Sequence, residues 1–266
     1  MRSARAGIVA ALAALAVVSP PLRAQDFALP GATPPGSAAA LLEDALPRAE
    51  PGVAVTAGTI AWYGVPGLVT RALAIDLGRG TWRASCGVSQ TGEPGLGWTT
   101  VGIGAGAAGR DWGAAGRVLA RRDRTAAFAA RVAPGEGGLE AGAGAWLVIG
   151  GGCTMWASAP SLAVTGAAPP LARALEAGVR WSSPGLALWL AHRSAPAGYG
   201  GASFAAGACA GTGPARVWLS AHDAPFAGTF GVSVTRAPVA VSAAVESHPW
   251  LPPLTRLALT LADRAP

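Results

Sequence analysis

The stretch Phe226-Ala227-Gly228-Thr229-Phe230-Gly231-Val232-Ser233-Val234-Thr235-Arg236 alternates along its whole length. Phe226, Gly228, Phe230, Val232 and Val234 share one parity, and Ala227, Thr229, Gly231, Ser233 and Thr235 the other. Successive side chains of a strand point to opposite faces, so this stretch predicts one apolar wall and one wall of small, mildly polar residues. Trp82, Ala84, Cys86 and Val88 likewise oppose Arg83, Ser85, Gly87 and Ser89. Leu175, Ala177, Val179 and Trp181 oppose Glu176, Gly178 and Arg180, and Leu257, Leu259 and Leu261 oppose Arg256, Ala258 and Thr260. We assign the first set of each pair to lipid and the second to a lumen.

Composition points the same way. Of the 266 residues, 51% are hydrophobic and 13% charged, and the mean hydropathy is +0.39; a soluble domain carries about 25% charged residues. No segment after the first two dozen residues is a long enough apolar run for a spanning helix of about 20 residues. High hydrophobicity without such a run is what a β-barrel gives, because only alternate residues face lipid. The 38 glycines fit tight turns and close backbone approach better than they fit helices.

The first residues set the expected compartment. Arg2 and Arg5, the apolar run Ala6 to Val18, and Ser19-Pro20-Pro21-Leu22-Arg23-Ala24 read as a secretory signal cleaved before Gln25. Residues 25–52 form a Pro/Gly-rich leader with a short helix expected over Ser37 to Leu46, a candidate plug, and residues 53–266 form the barrel. The formal charge of +6 rests on arginine, since the chain has no lysine; without the signal's three arginines, 17 remain against 14 acids, or +3. Basic runs such as Arg121-Arg122-Asp123-Arg124 are interleaved with acids, and in an exported chain they do not suggest nucleic acid.

Turn signals recur every ten to eighteen residues: Gly78-Arg79-Gly80, Gly92-Glu93-Pro94-Gly95, Gly109-Arg110-Asp111, Asp123-Arg124, Ser183-Pro184-Gly185, Gly211 to Pro214 and others. They divide the chain into 12 to 15 candidate strands, and 14 satisfies the even-number rule of bacterial barrels. The expected fold is therefore all-β: a transmembrane, up-and-down antiparallel β-barrel of about 14 strands with a short N-terminal helical segment. Of the ten tryptophans, Trp62, Trp82, Trp98, Trp112, Trp181 and Trp250 fall near predicted strand ends, where interfacial girdles belong.

Candidate lumen-lining residues are the charged side chains on the non-lipid parity: Asp76, Arg83, Arg117, Arg121, Glu176, Arg180, Arg216, Glu246 and Arg256. Charge within a membrane span is costly unless it meets water or a partner, so these predict either a selectivity lining or a ladder of Arg to carboxylate pairs. Cys86, Cys153 and Cys209 are widely spaced, with no C-x-x-C and no Cys/His cluster, so no metal site is expected. One pair could oxidise outside the inner membrane, while Cys86 reads as a small buried apolar residue. His192, His222 and His248 lie in no recognisable nucleophile setting and G-x-S-x-G is absent, so no catalysis is expected. No cofactor signature is found.

Four pieces carry a family resemblance: Gly36 to Ala40 before an acidic helix end, Glu176 to Trp181 opening a strand, Gly228 to Val232, and Glu246-Ser247-His248-Pro249 leading to Leu254-Thr255-Arg256-Leu257. Together they resemble the PorV/PorQ type of outer-membrane protein within the FadL-like group. The chain departs from that pattern where Leu46-Pro47-Arg48-Ala49 replaces the usual Asn-Pro-Ala, and it lacks a terminal aromatic. The resemblance implies a 14-stranded barrel with an N-terminal segment in the lumen. It also implies either uptake of hydrophobic small molecules or a role beside a secretion or surface-protein partner. The expected location is the bacterial outer membrane, with its lipid as partner. The alternatives are a non-transporting docking barrel and a soluble secreted β-protein.

Overall fold

The computed structural model describes residues 40–93, 96–125, 137–166, 175–194, 202–223, 226–247 and 250–263. The expected signal at residues 1–24 and a further expected turn at Pro196-Ala197-Gly198 lie outside them. A one-turn helix, α1 (Ala40–Asp44), precedes fourteen strands: β1 (Gly52–Ala61), β2 (Val69–Arg79), β3 (Trp82–Glu93), β4 (Leu96–Ala108), β5 (Trp112–Thr125), β6 (Gly137–Gly150), β7 (Cys153–Gly166), β8 (Leu175–Ser183), β9 (Leu186–Ser194), β10 (Ala202–Ala210), β11 (Ala215–Asp223), β12 (Phe226–Arg236), β13 (Val239–Glu246) and β14 (Leu254–Ala262). Each pairs antiparallel with its sequence neighbours, and β1 closes on β14 from Ala54 opposite Ala262 to Ala61 opposite Thr255. The result is a closed, up-and-down antiparallel barrel with no free edge.

The alternating pattern fixes which face is inside. Followed through the ladders, one continuous inner parity runs from Thr56 and Ala74 through Ser85, Thr100, Arg117 and Gly144 to Trp218, Ala244 and Ala258. The other parity exposes at least one large apolar side chain on every strand, from Val53, Leu73, Val88 and Ile103 round to Phe230, Val241 and Leu257. Cys86 is on this face and exposed, because here the apolar parity is the outer one. Charged residues of the outer parity, Arg71, Arg79, Arg122, Asp223 and Arg236, lie within four residues of a strand end.

The two barrel ends differ. Where the chain enters β1 and leaves β14, the hairpins are closed by Gly80-Thr81, Gly109 to Asp111, Gly151-Gly152, Pro184-Gly185, Gly211 to Pro214 and Ala237-Pro238. Gly151 and Gly152 both take positive φ (58° and 78°), as a two-residue primed turn requires. Connections at the other end are longer after β1, β5, β7, β9 and β13. Short turns on the terminal side and long loops opposite are the usual asymmetry of such barrels. The break expected at Asp123-Arg124 is absent: β5 continues through both, paired to β4.

The helix occupies the interior. Leu41, Leu42, Ala45 and Leu46 are fully buried, and α1 packs against β3, β4, β5, β6 and β7. Leu42 forms a cluster with Ala74, Leu119 and Ala258, which come from β2, β5 and β14. Leu46 joins Ala108, Trp146, Trp156 and Ala191. The helix stops at Asp44, short of the expected Leu46. Ala45 turns left-handed (φ 56°), and Pro47 disfavours a helical conformation at Leu46.

Candidate functional site in the barrel lumen

Small residues on the inner wall make room for the N-terminal segment. A Cβ on Gly104 would come within 2.7 Å of Leu41 Cγ, and one on Gly144 within 2.9 Å of the Ala45 carbonyl. The segment leaving the helix is then held by hydrogen bonds at the short-turn end. Trp146 Nε1 donates to the Pro47 carbonyl (2.8 Å), and Arg48 Nε to Asp76 Oδ2 (3.2 Å). Arg83 donates to four carbonyls: Arg48 (2.9 Å) and Ala49 (2.6 Å) of the segment, and Gly80 (2.7 Å) and Trp82 (2.9 Å) of the β2–β3 turn. A planar, always-charged guanidinium suits such divergent acceptors.

All nine charged residues singled out from the sequence lie on the inner parity of the register. Asp76 and Arg83 belong to the cluster just described. Arg117 donates to Glu140 Oε1 at 2.6 Å. Arg256 donates to Glu246 Oε2, also at 2.6 Å, near the long-loop end. Arg121 stacks over the Trp98 ring, 4.5 Å from its centroid, a cation–π contact. Glu176 has a partner. Arg180 and Arg216 differ: among the described residues neither forms an ion pair or hydrogen bond, and Arg216 is exposed at the short-turn mouth. Arg48 and Glu140 are interior ionic residues that the sequence reading missed. The parity of Glu140, shared with Trp146 six residues on, was the available signal.

The tryptophans divide in a way that alternation near strand ends did not disclose. Trp82, Trp112 and Trp181 are exposed on the outer parity at the short-turn rim, and Trp250 is exposed in the β13–β14 connection. Trp62 and Trp98 are instead turned inward, correcting the interfacial assignment. Trp62 Nε1 donates to the buried Thr70 hydroxyl (2.8 Å) and packs with Ile60 and Leu254, while Trp98 carries Arg121. A buried indole N–H needs an acceptor and its face favours a cation, and the lumen supplies both. Trp146, Trp156, Trp189 and Trp218 also face inward, and each lies over a glycine directly across the ladder: Gly113, Gly178, Gly207 and Gly231 respectively.

Beside this interior, Tyr63 sits in the β1–β2 connection next to Trp62. Burial, and then the Glu246 carboxylate, push its phenol above the ordinary value, with Arg256 pulling the other way. The three cysteines are free, with Cys209 on the inner parity and Cys86 and Cys153 on the outer. His192 lies on the outer face against Phe204 (4.9 Å between centroids), whereas His222 has the inner parity. The wall therefore separates the two, and His248 lies outside the described residues. Among the described residues no group of three His, Cys, Asp or Glu side chains is placed to hold a metal.

No protein-family model matches the chain, and no curated protein matches it. Among solved structures, a triple mutant of the Rhodopseudomonas blastica porin is similar at 10% identity and a TM-score of 0.44, over 79% of this chain and 98% of the porin. A second mutant of the same porin gives 10% identity and 0.45 over the same shares. A chain described under asymmetric conductivity of engineered proteins gives 10% and 0.42, again over 79% of this chain and 98% of its own length.

Proposed function

We propose that this chain is an outer-membrane barrel that passes small solutes through a lumen narrowed by its own N-terminal segment. One observation carries the reading: all fourteen strands expose large apolar side chains outward, while ionised and hydroxyl side chains collect inside. In water a continuous apolar wall of that extent is an association hazard, whereas in hydrocarbon it is a solvated surface. Outer-membrane lipid is then the partner of the outer wall, and the rim of Trp82, Trp112 and Trp181 marks one headgroup level.

The PorV-like and FadL-like roles are finer readings, resting on the sequence resemblance. The interior of arginines, carboxylates and threonines favours hydrophilic solutes over hydrophobic ones. The first test is gel mobility in SDS of protein from a washed envelope fraction, unheated against boiled, followed by single-channel recording in planar bilayers. A heat-dependent shift with stepwise conductance is expected. Release into the soluble fraction with no shift would overturn the barrel-in-membrane reading, and a shifted but silent barrel would favour a docking role.

A further inference from the structure

The inner wall is electrostatically lopsided. Around β2, β5, β6, β13 and β14 each interior arginine meets a carboxylate, an indole face or a set of carbonyls. On the short-turn half of β8 to β12 the inner ionic side chains are Arg180 and Arg216, and neither has an ion-pair partner among the described residues. The two lie within electrostatic reach of each other, and Arg180 within reach of Cys209. Like charges within reach of each other raise each other's energy, and a counter-anion between them would relieve both.

Within its surroundings Arg180 lacks a direct bonding partner among the described residues. Arg180 Nε is buried with no hydrogen-bond partner. Trp189 stands directly opposite Arg180 in the ladder, and Trp218 is two residues from Arg216 on the same face. Glu50, on the chain leaving the plug, lies within reach of Arg180 and Arg83 but forms an ion pair with neither among the described residues. The helix leans on β3 to β7, while Leu46 and Ala49 beyond it share a cluster with Ala191, Trp189 and Ala205 of β9 and β10.

We propose that Arg180 and Arg216 form an anion-binding site at the short-turn mouth of the lumen, taking a small solute with a carboxylate or phosphate group, and that this site makes the pore anion-selective. The selectivity rests on the pore reading above; the site does not. Arg216 at the mouth captures the anion from solvent, and Arg180, deeper and half-buried, receives it. Low-dielectric walls lined by one sign of charge concentrate counter-ions.

Cys209 provides the test. In the Cys86→Ser/Cys153→Ser background, a sulfonate-bearing methanethiosulfonate reagent should modify Cys209 faster than its trimethylammonium counterpart, by on the order of tenfold at low salt. The ratio should fall toward unity in Arg180→Gln/Arg216→Gln and, in the native pair, at about 1 M salt, where the screening length is about 3 Å. Equal rates in the native pair would overturn the site, as would failure of both reagents to react, since a sealed site binds no solute. In bilayers under a KCl gradient, reversal potentials should report anion selectivity that the double glutamine variant loses. A silent barrel would overturn the pore reading while the cysteine rates still decide the site; a conducting pore with equal rates would do the converse.

Discussion

The indole of Trp218 on β11 fills the space that a side chain on Gly231 of β12 would need, and the two residues are direct partners in the ladder. The arrangement repeats at Trp146 with Gly113, Trp156 with Gly178 and Trp189 with Gly207. A glycine in a strand offers the ladder no packing, and a flat aromatic laid across it restores contact on that face. Large rings thereby lie along the wall instead of across the lumen, which is how a barrel of this size holds six inward tryptophans and still seats a helix.

Gly231→Ala forces a methyl group into that indole and should destabilise the barrel by about 1–3 kcal/mol, the usual range for overpacking. Gly116→Ala is the control, because its Cβ would meet only the Gly142 carbonyl, at an ordinary 3.5 Å. Urea unfolding from detergent or lipid should show a lowered midpoint for the first and none for the second. Equal midpoints would mean that Trp218 moves aside freely.

Val101 is half exposed at the middle of β4, on the apolar wall. Val101→Arg should cost about 2–4 kcal/mol in a bilayer, as arginine does on the lipid face near the midplane. The readout is folding yield into vesicles, scored by the unheated gel band. A soluble protein would tolerate the same substitution with a change within about 0.5 kcal/mol.

Arg83 joins the N-terminal segment to the wall through carbonyls on both. Arg83→Lys keeps the charge but not the fork, and loses hydrogen bonds worth roughly 1.5–3 kcal/mol each for a charged group. Arg48 is almost fully buried in the native fold. Trypsin should therefore cut after Arg48 in the folded variant far faster than in the native barrel, and unchanged protection would show that Trp146 and Arg48 hold the segment without it.

Tyr63 should titrate above the ordinary tyrosine value of about 10, through burial first and Glu246 second. The folded state thus holds this proton more tightly than the unfolded state, so stability falls as pH rises beyond about 10. Glu246→Gln removes a raising charge and should shift the phenol downward in ultraviolet difference titration. The chain has two tyrosines, and Tyr199→Phe isolates the signal; an upward or absent shift would contradict the placement of Glu246 beside Tyr63.

Alternation made the strand pattern, the two walls and the strand number legible, because a pleated strand translates parity directly into direction. Parity likewise placed Arg83, Glu176 and Arg256 on one face without knowledge of their partners. It could not pair Arg117 with Glu140 or Arg48 with Asp76, whose separations in the chain are 23 and 28 residues. Nor could position near a strand end decide Trp62 and Trp98, since an indole at a rim can turn to either side. Strand parity and the hydrogen bond to Thr70 decided it.

A barrel with an apolar exterior is written into residue period and composition, since both are local properties that water and hydrocarbon sort in only one way. What fills the interior follows from closure: a helix seated on glycines, tryptophans laid over glycines across the ladder, and two arginines with no ion-pair partner among the described residues. Those relationships depend on which strands become neighbours when the sheet closes, and closure joins residues as far apart as Ala54 and Ala262.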